Sequence, residues 1–260
     1  MPSFEPILAH VVPFMLVACR LAGLFLLAPL LGNRYLPARF RALLVVMLAA
    51  VVYPGLSTTV QHVPAANLLT IVPLILSETL IGLVIGFLAS LPIMCVDLAG
   101  FIMGHQMGLG LARVYNPDTA TDTDVLGQVL LYMALAAFVA LGGIEVLFIS
   151  LVSTFHRIPI GGFGVAKAPL DTIVSVFSSG MELGVRVAAP VTCIVFILMI
   201  AMGFVMKTMP QINILSVGFT IKILFGVGMC ALAIGAMHHA VSDEIERVLG
   251  LVLHWSRSPA

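Results

Sequence analysis

LLTIVPLILSETLIGLVIGFLASLPIMC, the run from Leu68 to Cys95, holds a single charged side chain, Glu78, among aliphatic and small residues. A helix crosses a bilayer with about 20 apolar residues, and this run is longer than that. It therefore reads as a membrane-type helix and not as a core element of a soluble domain. Glu78, Gly82 and Gly86 recur every fourth residue, so they share a helix face, and small residues on such a face let a second backbone come close.

Composition extends this reading to the whole chain. Of 260 residues, 61% are hydrophobic and 9% charged, whereas soluble domains carry about 25% charged residues. Lys+Arg and Asp+Glu are both 12. That balance gives no basic patch for nucleic acid and no acidic tail for a charged soluble partner. By length, about six long segments qualify as helices. They are Ile7 to Leu31, Ala42 to Val60, Leu68 to Cys95, Val125 to Ser153, Ile173 to Met206 and Ile212 to Met237. Pro190 lies inside the fifth, so a kink or division is expected there. The tail from Ser242 to Trp255 places Ile245, Leu249 and Val252 on one side, which predicts an amphipathic C-terminal helix. The expected fold is all-α, a polytopic helical membrane protein. Arg34, Arg39 and Arg41 crowd the first turn, which the positive-inside rule assigns to the cytoplasm. The Gly- and Pro-rich loop 155–170 separates residues 1–154 from a helical hairpin and end helix over 171–260.

Beyond the opening run comes Gly100-Phe-Ile-Met-Gly-His-Gln-Met-Gly-Leu-Gly110, continuing to Asn116-Pro117-Asp118. As a helix it would align Gly100, Gly104 and Gly108, bordered by Met103 and Met107. Two readings stand: an ordinary packing seam, or a mobile, pore-facing segment whose glycines and flexible thioethers suit a surface that repacks. Met199, Met202, Met206 and Met209 fall on one face of the fifth segment, either as packing or as a compliant seal around a pore. Pro210, Gln211 and Asn213 then form a polar turn between two long helices.

Glu78, Glu145, Glu182, Arg186 and Lys222 lie well inside apolar runs, where a charge needs a partner or water. Glu182 and Arg186 are four apart and suit an intrahelical pair. Intramembrane carboxylates such as Glu78 and Glu145 also suit a secondary transporter, and that alternative stays open on residue types alone. Cys19, Cys95, Cys193 and Cys230 show no metal or disulfide spacing and read as buried thiols. No hydrolase, phosphate-loop, dinucleotide or zinc-protease motif is present in the sequence, and His105, His238 and His239 read as structural. The expectation is a non-enzyme that uses neither metal nor cofactor.

An ordered set of motifs resembles the FliR family of flagellar biosynthesis proteins, the R subunit of the type III secretion export gate. The set comprises Arg20-Leu-x-Gly23 with Pro29, Pro37-x-Arg39-x-Arg41, Glu78-x-x-x-Gly82-x-x-x-Gly86, Gly104-x-Gln106-Met107-Gly108, Asn116-Pro117, Met209-Pro210-Gln211-x-Asn213, and Gly218-Phe219-x-x-Lys222. Gln106-Met107-Gly108 leans toward the flagellar branch. Asn116 stands where members usually carry aspartate and Thr220 where many carry proline, so no role for an acid at Asn116 is carried over. The resemblance implies a P-like part over 1–154, containing a plug loop over 100–118, followed by a Q-like hairpin. It implies assembly with the P and Q subunits (FliP, FliQ), contact with FlhB and the rod base, and placement in the bacterial inner membrane at the flagellar basal body. Unfolded flagellar proteins would be the cargo of the shared channel. Gly104, Gln106, Met107, Gly108, Gly110, Asn116 and Pro117 would then serve the plug, and Met103, Met199, Met202 and Met206 the seal. Glu78, Glu182, Arg186 and Lys222 would be structural or intersubunit charges.

Overall fold

The structure, a computed structural model, describes residues 5–32, 37–56, 68–109, 125–160, 169–209 and 214–257. Helix α1 spans Glu5–Leu27, and α2 spans Ala38–Val52 before one 3-10 turn, Tyr53–Leu56. Helix α3 spans Leu68–Met107, α4 Val125–Ala140, α5 Gly143–Arg157, α6 Leu170–Thr208 and α7 Ile214–Arg257. The fold is thus all-α, as the apolar runs predict. Five helices are long and apolar enough to cross a membrane, α2 counted together with its 3-10 turn, and α4 with α5 makes a sixth if the two are taken as one broken span.

The largest departures from the expected segments are four. Helix α3 does not stop near Cys95; it runs 40 residues to Met107, because Gly100 and Gly104 are tolerated inside a helix. Residues 100–107 of the expected plug loop are therefore helix. The fourth expected segment breaks at Gly142, whose φ of 70° lies in the left-handed region and turns the chain into α5. Helix α6 neither divides nor ends at Pro190; it runs through it to Thr208, 39 residues in all. The proline ring leaves the Arg186 carbonyl without its helical donor, and the Thr192 hydroxyl donates nearby to the carbonyls of Ala188 and Ala189 at 3.0 and 3.1 Å. The amphipathic tail is no separate helix but the last turns of the 44-residue α7, with Ile245, Leu249 and Val252 all buried as expected.

Two compact units share these helices. The first takes residues 1–91, 142–176 and 246–260, with a core that draws on Leu16 and Leu24 of α1, Ile81 and Ile85 of α3, Leu151 of α5 and Val252 of α7. The second takes residues 92–141 and 177–245, with Met103 and Met107 of α3, Leu130 and Phe138 of α4, Val191 of α6 and Val241 of α7 inside it. In the first unit, α1 and α3 cross at glycines. A Cβ at Gly23 would meet the Thr79 carbonyl, and one at Gly82 would meet the Arg20 carbonyl. The seam read from Gly82 and Gly86 is therefore real, and its partner is α1.

Candidate functional site

The end of α3 lies in the second unit, where Gly104 is buried and Gly100 and Gly108 each face a specific neighbour. Gly100 abuts Gly127 of α4, and a Cβ at Gly100 would lie 2.4 Å from the Gly127 backbone. Met103 and Met107 are wholly buried. The Met107 thioether fills a notch on α7 at Gly226, where an added Cβ would lie 2.5 Å from its sulfur. Gly108 ends the helix with φ of 87°, a conformation that L side chains avoid, and the Phe219 ring of α7 covers it so closely that a Cβ would lie 2.6 Å away. His105 and Gln106 are exposed, and the His105 ring stacks on Phe101 at 5.9 Å. The glycines and methionines of this stretch thus form a packing seam up to Gly108, and they fix where the chain leaves the helix.

The other residues proposed for the site fall in different places. Met199 and Met206 are exposed on α6 and Met202 is half-buried. Gly110, Asn116 and Pro117, together with the turn residues Pro210, Gln211 and Asn213, lie outside the described residues. Lys222 is half-buried and makes no ion pair among the described residues. Glu182 and Arg186 do pair, at 2.6 Å, on an exposed face of α6. The expectation of four buried thiols needs correction, since Cys193 is exposed and Cys19 half-buried. An apolar run in a membrane protein has outward faces as well as inward ones, so an apolar setting in sequence does not imply burial.

A fully enclosed charge centre in the first unit was not legible as such in the sequence. Arg20 of α1 donates from Nε to Glu78 of α3 at 2.6 Å. One terminal nitrogen donates to the Thr154 hydroxyl at 3.2 Å and the other to the Ile158 carbonyl at 3.2 Å, both at the C-terminal end of α5. The guanidinium lies 4.1 Å from the centroid of the Phe155 ring. The Thr154 hydroxyl donates in turn to the Leu151 carbonyl at 2.6 Å. Arg20 and Glu78 both have no exposed surface. The rigid fork of the guanidinium satisfies three acceptors at once and so ties α1, α3 and the end of α5 together. Glu78, one of the two carboxylates of the transporter reading, is thus held in an ion pair with no exposed surface. Glu145, the other carboxylate in that reading, is exposed in the first turn of α5. The available signal was a pair of opposite charges, each alone in its own apolar run. In the sequence Arg20 is marked only by the Arg20-Leu-x-Gly23 motif.

A second arginine of the same unit anchors the end of α7. Arg157 donates to the main-chain carbonyl of Trp255, and its guanidinium lies 5.4 Å from the indole centroid. Trp255 is buried and is the one tryptophan of the chain, which makes its fluorescence a direct reporter of this docking. Arg157→Met should move the emission to longer wavelength and destabilise the unit by about 1.5–3 kcal/mol, the usual worth of a hydrogen bond from a charged donor. Unchanged emission in the detergent-purified variant would show that the contact does not hold the helix end.

Comparison with known proteins adds an independent line. The profile described as bacterial export proteins, family 1, matches residues 11–248. The chain is 29% identical over 215 residues to the flagellar biosynthetic protein FliR of Bacillus subtilis (strain 168), covering 81% of each. It is 29% identical over 212 residues to the protein of the same name in Escherichia coli (strain K12), covering 82% of this chain and 80% of that one. The Yop proteins translocation protein T of Yersinia pestis is 26% identical over 212 residues, 80% of each chain.

Proposed function

Because the chain belongs to the bacterial export proteins, family 1, we propose that it is the R subunit of a flagellar type III export gate. In this reading it assembles with P and Q subunits (FliP, FliQ) in the inner membrane at the flagellar basal body, with FlhB and the rod base adjoining. It carries out no chemical reaction and needs no cofactor; its work is to build and close a channel for unfolded flagellar proteins. The family's description and the translocation named for the Yersinia relative support the export role, and Gln106-Met107-Gly108 favours the flagellar branch. Helix length supports an assembly that stands proud of the bilayer. At 1.5 Å per residue, α3, α6 and α7 each measure about 60 Å or more, roughly twice the hydrocarbon thickness. In chain order, residues 1–154 correspond to a P-like part and 171–260 to a Q-like hairpin with its end helix.

One observation carries the gating part of the reading: α3 ends at a left-handed glycine pinned by Phe219. The chain that follows Gly108, through Gly110, Asn116 and Pro117, is the segment assigned to close the pore. Met107 in its notch, with Met103 beneath, fixes the point from which that segment departs. Met199, Met202 and Met206 supply a compliant outer surface for the seal, and Lys222 a charge for a neighbouring subunit. Gly104→Val and Gly108→Val test this directly. The expected result is at least a tenfold fall in secreted flagellar protein, or a new ion leak through the closed gate, while the chain still co-purifies with its partners. Unchanged export together with unchanged leak in both variants would refute the plug.

A further inference from the structure

Helix α3 carries two acids, Glu78 and Asp97. Glu78 is held by Arg20, whereas Asp97 is exposed and makes no ion pair among the described residues. A carboxylate in so apolar a helix needs some other compensation. The first turn of α4 lies beside it. A Cβ added at Gly127 would stand 3.3 Å from Asp97 Oδ1 and 3.6 Å from the Asp97 carbonyl oxygen. One turn further along α3, a Cβ at Gly100 would lie 2.8 Å from the Gly127 nitrogen. Two bare positions therefore let the carboxylate come up to the start of α4. The first turn of a helix holds N–H groups without acceptors inside the helix and carries partial positive charge. α4 has no acid of its own in that turn. Asp124 precedes α4 in the sequence and can serve the turn locally, but only Asp97 ties it to α3.

We infer that Asp97 is a positioning residue for the gate: its carboxylate holds the first turn of α4 against α3 and so fixes where the segment that follows Gly108 returns to the fold. That segment then has two anchors on one helix. It leaves at Gly108 under the Phe219 ring, and it comes back at residues 125–127 beside Asp97. Asp97 and Met107 are ten residues apart on α3, so the anchors lie about 15 Å from each other along its axis. The attraction is between a fixed anion and the positive end of α4, and it acts through the backbone without any contact to cargo. The inference rests on the plug reading and adds what holds the far end of the segment.

The test reads the backbone of α4 and the closed gate separately. The native complex, Asp97→Asn and Asp97→Lys are purified in mild detergent, and hydrogen exchange is followed at the amides of residues 129–131, which bond to the carbonyls of 125–127. Ion leak and secreted flagellar protein are measured in cells producing the same chains. Asp97 is exposed, so both variants are expected to assemble in native amount. Exchange should quicken about twofold in Asp97→Asn, which removes the anion, and about fivefold in Asp97→Lys, which sets a cation against the positive end of the helix. Exchange across α5 should stay native, and leak through the closed gate should rise in the same order. Native exchange in Asp97→Lys overturns the proposal. Equal acceleration in the two variants overturns it too, because shape and not charge would then hold the turn. Faster exchange with native leak and native export supports the contact and refutes the plug instead. If Asp97→Lys lowers the amount of complex, Asp97→Asn decides alone, and native exchange in it refutes the proposal.

Discussion

Arg20→Met is expected to empty the membrane of folded chain, and adding Glu78→Met is expected to restore most of it. The single substitution leaves the Glu78 carboxylate enclosed with no exposed surface and without the Nε donor that lies 2.6 Å away. Breaking a buried pair from one side costs about 3–5 kcal/mol, whereas replacing both members with apolar groups of similar size is often neutral. Against a total stability of about 5–15 kcal/mol, the single loss is large enough to hand the chain to cellular proteolysis. The Ile158 carbonyl and Thr154 hydroxyl also lose their donors, so the C-terminal end of α5 should loosen even in the double variant. Arg20→Lys should fall in between, since a point charge reaches Glu78 but cannot span three acceptors. Chain level in membranes and thermal unfolding in detergent read the result. If Arg20→Met were as stable as the native chain, this centre would not be what joins α1, α3 and α5.

The fate of Arg20 shows what an apolar sequence reveals and what it hides. Length and period expose the helices, because nearly all of this chain's information is in runs too apolar for water. They exposed the Glu182 and Arg186 pair, which is local, and the inward side of the tail at Ile245, Leu249 and Val252. Pairing across helices is another matter. Arg20 and Glu78 lie 58 residues apart, and no spacing rule connects them. Helix ends are equally hidden in a chain with 23 glycines, for most of them sit inside helices and only the backbone tells that Gly108 and Gly142 adopt positive φ. Gly100, Gly104 and Gly108 looked alike in sequence, yet the first serves close packing and the last ends the helix. Likewise, methionine spacing does not separate Met107, sealed in its notch on α7, from Met199 and Met206, which face outward.

Gly82→Leu should be nearly as damaging as Arg20→Met, for a connected reason. A side chain at this position would run into the Arg20 carbonyl and reach the Leu24 nitrogen, both of them backbone, so no rotamer change relieves the clash. Overpacking costs about 1–3 kcal/mol where side chains can yield, and α1 would have to move away here. That movement separates Arg20 from Glu78, which sits one turn before Gly82 on α3, so the damage should approach that of the broken pair. The two effects share a cause and must not add. In the Arg20→Met/Glu78→Met background, Gly82→Leu is therefore expected to cost less than it does alone, with a coupling of about 0.5–3 kcal/mol in a double-mutant cycle read by thermal unfolding. Gly235→Ala on α7 is the matched control. It meets nothing within 4 Å, and exchanging glycine for alanine in a helix should stabilise by about 0.8–1 kcal/mol. Strict additivity in the cycle would mean that the glycine crossing and the charge centre hold the unit together independently, and the close approach of α1 and α3 would then have an explanation other than bringing Arg20 within reach of Glu78.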